Sequence, residues 1–210
     1  IDNFRLDQWR MIRPVLHGLF DVEQEDFYCS ILPTATQYAR NAIFAGLTPL
    51  AIDKIMPDLW LNDNEHGGKN QHEEDFLRRQ MQSQGKSYKL FFDKIVKTDS
   101  GKRLIENFDR VAAADFSVIV YNFLDILSHA RTETQIIRDL AEDEAAFRSL
   151  TRSWFEHSDL LELMRLVAER GHTVIVTSDH GTIQVDRPVR VQGDRETSSN
   201  LRYKTGRNLG

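Results

Sequence analysis

Cysteine is almost missing from this sequence: Cys29 stands alone in 210 residues. An internal disulfide is therefore excluded, and a reducing, cytoplasmic setting is the expectation. No apolar run approaches the roughly 18 residues that a membrane-spanning helix needs. The start of the chain lacks the charged-then-apolar pattern of a secretory signal. An excess of positive charge is missing too: the net charge is -5 and the pI about 5.8. That balance excludes a large basic face for duplex DNA. Internal repeats and low-complexity tracts are absent. The sequence opens on Ile1-Asp2 with no initiator methionine, and a piece of a longer protein is expected.

What is present, 40% hydrophobic and 28% charged residues, suits one sizeable domain or one domain with an insertion. Ile1-Asp2-Asn3-Phe4 reads as the tail of a strand. Leu6, Trp9, Ile12, Leu16 and Leu19 recur at helical spacing. Phe27 to Leu32 has strand character, which predicts a buried Cys29. Pro33-Thr34-Ala35-Thr36 opens a helix that Gly46 closes. Pro49 begins a short helical piece. Residues 62 to 70 are a polar loop, and a helix is expected from Glu73 to Ser83. Ser87 to Val96 reads as a strand, Asp99-Ser100 as the start of a helix, and Phe116 to Phe123 as a central strand. Helix follows from Thr132 to Arg170 with a break near residue 157. Val174-Ile175-Val176 then runs into Thr177-Ser178-Asp179-His180-Gly181. Alternation of strands and helices predicts an α/β fold with a mostly parallel central sheet flanked by helices. The three β-branched residues predict a strand buried on both faces.

Three expected strand ends carry acidic residues: Asp2, Asp125 and Asp179. His129 lies four residues after Asp125, on the same face of a helical turn, and His180 follows Asp179. Open α/β sheets bind ligands at this edge. Carboxylates gathered there repel one another unless a cation neutralises them, and Asp and His oxygens and nitrogens suit zinc. Thr36 reads two ways. It is a helix-cap residue, or a nucleophile whose weak hydroxyl is activated by a metal, at a helix start that favours phosphate. Arg40, one turn on, reads as a surface charge or as a phosphate contact.

The order Asp2, Pro33-Thr34-Ala35-Thr36, Asp125-x-x-x-His129 and Ser178-Asp179-His180-Gly181 resembles the alkaline phosphatase superfamily. Within it, the blocks Ile1 to Trp9, Pro33 to Asn41, Leu140 to Ala146 and Asn200 to Lys204 are most similar to the PglZ domain. Within that family they most resemble the output domain of a response regulator of Bacteroidota, which implies a role in type IX secretion signalling. The resemblance spans nearly the whole sequence. Residues 58–112 read as a peripheral insertion or cap over the sheet, and the resemblance implies an alkaline phosphatase-like domain truncated at both ends. It implies two zinc ions: one held by Asp2, Thr36, Asp179 and His180, the other by Asp125, His129 and a further His. No His-Gly-Gly segment follows His180, so that last ligand is expected beyond Gly210. Ala39-Arg40 stands where the related nucleotide phosphodiesterases carry Asn-His. The implied activity is hydrolysis of nucleotide or oligonucleotide phosphoesters through a phosphorylated Thr36. The implied context is an upstream receiver domain, signalling partner proteins and a possible homodimer.

The tail from Arg187 to Arg207 concentrates positive charge. Arg195, Arg202 and Lys204 are the candidates to meet substrate phosphates, against the alternative of a solvated loop. A module that keeps its metals for structure and binds partners without hydrolysis is the competing expectation. Sulfatase chemistry is disfavoured by a threonine at the nucleophile position.

Overall fold

The computed structural model describes residues 1–62, 68–185, 187, 189–194, 197–198 and 202–210. In chain order, the helices before the first strand are α1 (Leu6–Leu16), α2 (Thr36–Ala45), α3 (Pro49–Ile55) and α4 (Glu73–Ser83). Strand β1 (Leu90–Ile95) follows, then α5 (Thr98–Glu106), α6 (Phe108–Ala112) and strand β2 (Phe116–Tyr121). The remaining helices are α7 (Phe123–Glu133), α8 (Gln135–Leu140), α9 (Glu144–Glu156) and α10 (Asp159–Glu169). The chain divides into two compact units: residues 1–29 with 88–181, and residues 30–87 with 182–210.

The first unit is the α/β part. β1 and β2 pair in parallel, with Leu90 opposite Phe116 and Ile95 opposite Tyr121. Parallel pairing requires a crossover, supplied here by α5 and α6. Ile12 and Leu16 of α1, Leu124 of α7, Phe155 of α9 and Leu160, Leu161, Leu163 and Met164 of α10 share one buried cluster with Ile95 and Tyr121. Each fully buried side chain of this size contributes about 1.5–3 kcal/mol, so this cluster is the main source of cohesion in the unit. A polar seam crosses it. Gln8 of α1 is fully buried; its Oε1 accepts from the Arg5 backbone N–H and its Nε2 donates to Thr151 Oγ1 at 2.8 Å. Satisfying both ends of a buried amide lets it sit inside an apolar core.

The second unit is helical. Ala45, Ile52, Met56, Trp60 and Phe76 form its core. Gly46 ends α2 in the left-handed region at φ 63°, which glycine adopts without a Cβ clash. Arg40 of α2 and Glu73 of α4 make a buried ion pair at 2.6 Å.

Several expectations change. The sheet among the described residues has two strands. Phe27 to Leu32 forms no ladder among the described residues and bends at Leu32, and Cys29 is exposed rather than buried. Thr173 to Thr177 also has no ladder. Val174 and Val176 pack on the core cluster while Ile175 is 83% exposed. The run of β-branched residues is therefore buried on one side only. Alternation of direction along an extended chain explains this without a second covering layer. The expected 58–112 cap is divided: 58–87 lie in the second unit, and 88–112, including β1, in the first.

These burial differences set a direct comparison. Phe155→Ala is expected to destabilise by about 3–5 kcal/mol. Ile175→Thr is expected to stay within about 0.5 kcal/mol. Urea unfolding of the two variants checks both values.

Candidate metal centre

Residues 1–4 thread along two chain segments. The Ile1 amino group donates to the Thr177 carbonyl at 2.8 Å, and the Asp2 N–H donates to the Tyr121 carbonyl at 2.8 Å. The Asn3 N–H donates to Asp179 Oδ1 at 3.1 Å, and the Phe4 N–H to Ser178 Oγ at 2.9 Å. Four successive nitrogens thus fix Asp2 against the end of β2 and the 177–180 segment. The Ser178 hydroxyl donates in turn to the His180 carbonyl at 2.7 Å, and the Tyr28 hydroxyl donates to the Ser178 carbonyl. Burial pushes the Tyr28 hydroxyl above its ordinary pKa, and the nearby Asp179 charge adds to the rise while a hydrogen bond to Thr177 opposes it.

This threading gathers Asp2, Asp179 and His180, exposed by only 2%, 3% and 5%. One ligand atom from each lies within 4.8 Å of the others. His180 Nδ1 lies 3.3 Å from the Gly181 carbonyl. A proton on Nδ1 leaves Nε2 to face Asp2 Oδ1 at 3.6 Å. That separation is long for a hydrogen bond. It matches two ligands of one tetrahedral ion, whose donor atoms at about 2.1 Å from the metal sit roughly 3.4 Å apart. The backbone contact on Nδ1 is the outer support that metal-binding imidazoles use. Two carboxylates and an imidazole withdrawn from water fit a divalent cation by donor chemistry and by charge.

Asp125 and His129 stand on the first turns of α7. His129 Nε2 lies 3.6 Å from Asp125 Oδ2. Asn3 Nδ2 donates to Asp125 Oδ1 at 3.2 Å. His129 is the more open of the pair, and its Nδ1 is 3.9 Å from Glu133 Oε1.

Arg5 lies in an ion-pair network beside the His180 turn. It pairs with Asp7 and Glu144, while Arg131 reaches Glu144 at 2.8 Å and Arg148 reaches Asp7 at 3.2 Å. The guanidinium groups of Arg5 and Arg131 lie 5.4 and 5.0 Å from the Phe147 ring centre. A Cβ at Gly181 would sit 3.1 Å from Arg5 Cγ, so glycine lets Arg5 pass close to the His180 turn.

In the second unit Thr36 is the first residue of α2, and the helix N-cap is Ala35 rather than a threonine. The Thr36 carbonyl accepts from Asn70 Nδ2 at 3.2 Å. Arg40, expected to grip phosphate, is buried against Glu73, where it fixes α2 to α4. Arg202 Nη1 donates to Thr34 Oγ1 at 2.9 Å, beside the start of α2. Lys204 Nζ donates to the Ser198 carbonyl at 3.0 Å, within the tail. Arg195 lies outside the described residues. Tyr38 and Tyr203 approach to 6.0 Å between ring centres, and both line an open groove of about 540 Å³ with Pro33 and Leu50.

A family model, the BREX system PglZ alkaline phosphatase-like domain, matches residues 1–210. The chain belongs to the PglZ family. No curated protein matches it. As a PglZ domain it is alkaline phosphatase-like, within a superfamily of phosphoester hydrolases. The superfamily is typically metal-dependent, in keeping with a buried Asp2–Asp179–His180 group that could bind an ion. No described helix is long and apolar enough to cross a membrane.

Asp2, Asp125, His129, Asp179 and His180 were legible as residue types. Asn3, Ser178, Tyr28 and Glu73 were not singled out. Asn3 carried one signal, a short polar side chain of the kind that tolerates the left-handed region, here at φ 56°.

The Arg5 network gives a pH dependence. Burial raises the Asp7 and Glu144 carboxyls, but hydrogen bonds and charge from Arg5, Arg148 and Arg131 outweigh it. Both carboxyls fall below their ordinary 3.8 and 4.5. Depressed carboxyls stabilise the fold above those values and lose that contribution as pH falls through them. The urea midpoint of the parent is expected to decline from about pH 4.5 downward. Arg5→Met is expected to lower the midpoint at pH 7 and flatten the acid decline.

Proposed function

We propose that this domain is a zinc-dependent hydrolase of nucleotide or oligonucleotide phosphodiesters, with Thr36 as its nucleophile. The observation that carries the reading is the buried Asp2–Asp179–His180 group. Asp2, Asp179 and His180 would hold one ion, with Asp125 and His129 contributing to a second. When bound, two such ions supply positive charge to the attacking and leaving oxygens of an in-line displacement.

The remaining chemistry belongs to the chain. Thr36 Oγ1 bonds to phosphorus as the ester bond to the leaving alcohol breaks, and the threonine proton goes to that alcohol. Water then cleaves the phosphothreonine ester, returning a proton to Thr36 and releasing the phosphomonoester. Thr36 opens α2, where backbone N–H groups favour an anion. Arg202, held at Thr34, adds a cation beside that helix start. The Tyr38 and Tyr203 rings in the adjoining groove offer faces on which a nucleobase stacks. These features support a nucleotide over a small phosphomonoester.

A second reading is a module that binds partner proteins, or a second copy of itself, as the output domain of a signalling protein with a receiver domain upstream. The favouring observation is exposed apolar surface. Phe27 and Ile175 in the first unit, and Leu32, Ile183 and Val189 in the second, are each more than 80% exposed. Exposed apolar surface of this kind marks an interaction site where it is contiguous.

Hydrolysis of bis(p-nitrophenyl) phosphate separates the two. Thr36→Ala is expected to lower kcat on the order of 10³-fold or more with zinc content retained. Unchanged turnover in that variant at full zinc content would remove Thr36 as the nucleophile. Zinc-saturated parent protein with no turnover, together with zinc-dependent partner binding, would favour the second reading.

A further inference from the structure

Asn3 connects the two groups of ligand residues. Its backbone N–H donates to Asp179 Oδ1 at 3.1 Å, and its side-chain Nδ2 donates to Asp125 Oδ1 at 3.2 Å. One residue thus joins the Asp2–Asp179–His180 group to the Asp125–His129 pair. The two donors can diverge in this way because Asn3 adopts φ 56°, a conformation open to asparagine and glycine and resisted by most other residues.

Asn3 is buried, and its Oδ1 accepts no hydrogen bond among the described residues. Buried amides retained for packing have both ends satisfied, as Gln8 does here. Asn3 uses only its donor end, and that end meets a carboxylate. A donor fixed on Oδ1 of Asp125 sets the rotation of the carboxylate. The other oxygen, Oδ2, is the one 3.6 Å from His129 Nε2. His129 is exposed on its helix, so this hydrogen bond is the firmest restraint on the pair.

We propose that Asn3 is a positioning residue that holds Asp125 in the orientation needed to bind a cation with His129, and ties that position to Asp179. The inference rests on the reading that both groups take up divalent cations. Its general form is the outer contact that orients a ligand, whose loss costs about 10–100-fold in metal affinity.

The test is a zinc titration of the full chain, followed by calorimetry, in the parent, Asn3→Gly and Asn3→Ala. Asn3→Gly keeps the left-handed backbone and its N–H while removing the carboxamide. Asp125→Ala identifies which binding step belongs to the Asp125 pair. In Asn3→Gly, the step at Asp2, Asp179 and His180 is expected to stay within about twofold, while the Asp125 step weakens by about 10-fold or more. The preserved step reports that the fold is intact. Asn3→Ala strains the backbone and is expected to weaken both. Two steps in Asn3→Gly that match the parent, or that weaken equally, would overturn the role of Asn3 alone. A parent protein that binds fewer than two zinc ions would overturn the two-cation reading and this inference with it.

Discussion

The constraint that shapes the candidate site in the first unit is two carboxylates and an imidazole held together out of water. Asp2, Asp179 and His180 meet at exposures of 5% or less. Like charges confined in this way repel and favour a cation between them. The fold sustains the arrangement by backbone hydrogen bonding. The nitrogens of residues 1–4 reach Thr177, Tyr121, Asp179 and Ser178. Side-chain positions set by main-chain contacts lose little when surface side chains change. The Arg5 ion-pair network and the α1–α9 seam through Gln8 and Thr151 then hold this stretch to the core.

The second unit has a different logic. Its α2 helix carries Thr36 at its first position and is fixed to α4 by the Arg40–Glu73 pair. Breaking one partner of a buried pair costs about 3–5 kcal/mol, so Arg40 has a structural task whatever else it does. The tail contributes Arg202 and Tyr203 to the surroundings of the α2 start. The local excess of positive charge in the sequence therefore has, at Arg202, a defined place in the fold.

Helices were the most legible part of the sequence. Glu73–Ser83 and the α1 and α2 segments follow from apolar spacing and from Gly46. β1 and β2 were legible as apolar runs. Phe27 to Leu32 and Val174 to Val176 were legible only as extended chain, since a ladder depends on what lies alongside and a run of side chains does not specify its neighbour. The candidate ligands Asp125 and Asp179, with His129 and His180 beside them, could be read because each carboxylate follows an apolar run. The contacts of Asn3 could not, since they depend on a backbone angle and on partners 122 and 176 residues away in sequence. Arg40 was read by helical phase, and its partner Glu73 lay beyond any local pattern.

Asp2, Asp179 and His180 are expected to form a metal centre. Crystals of the protein grown with zinc, measured on both sides of the zinc absorption edge, test it most directly. An anomalous peak bonded to a carboxylate oxygen of Asp2, a carboxylate oxygen of Asp179 and Nε2 of His180, at about 2.0–2.2 Å from each, is the expected result. Fully ordered side chains at these three residues with no anomalous peak among them would contradict it.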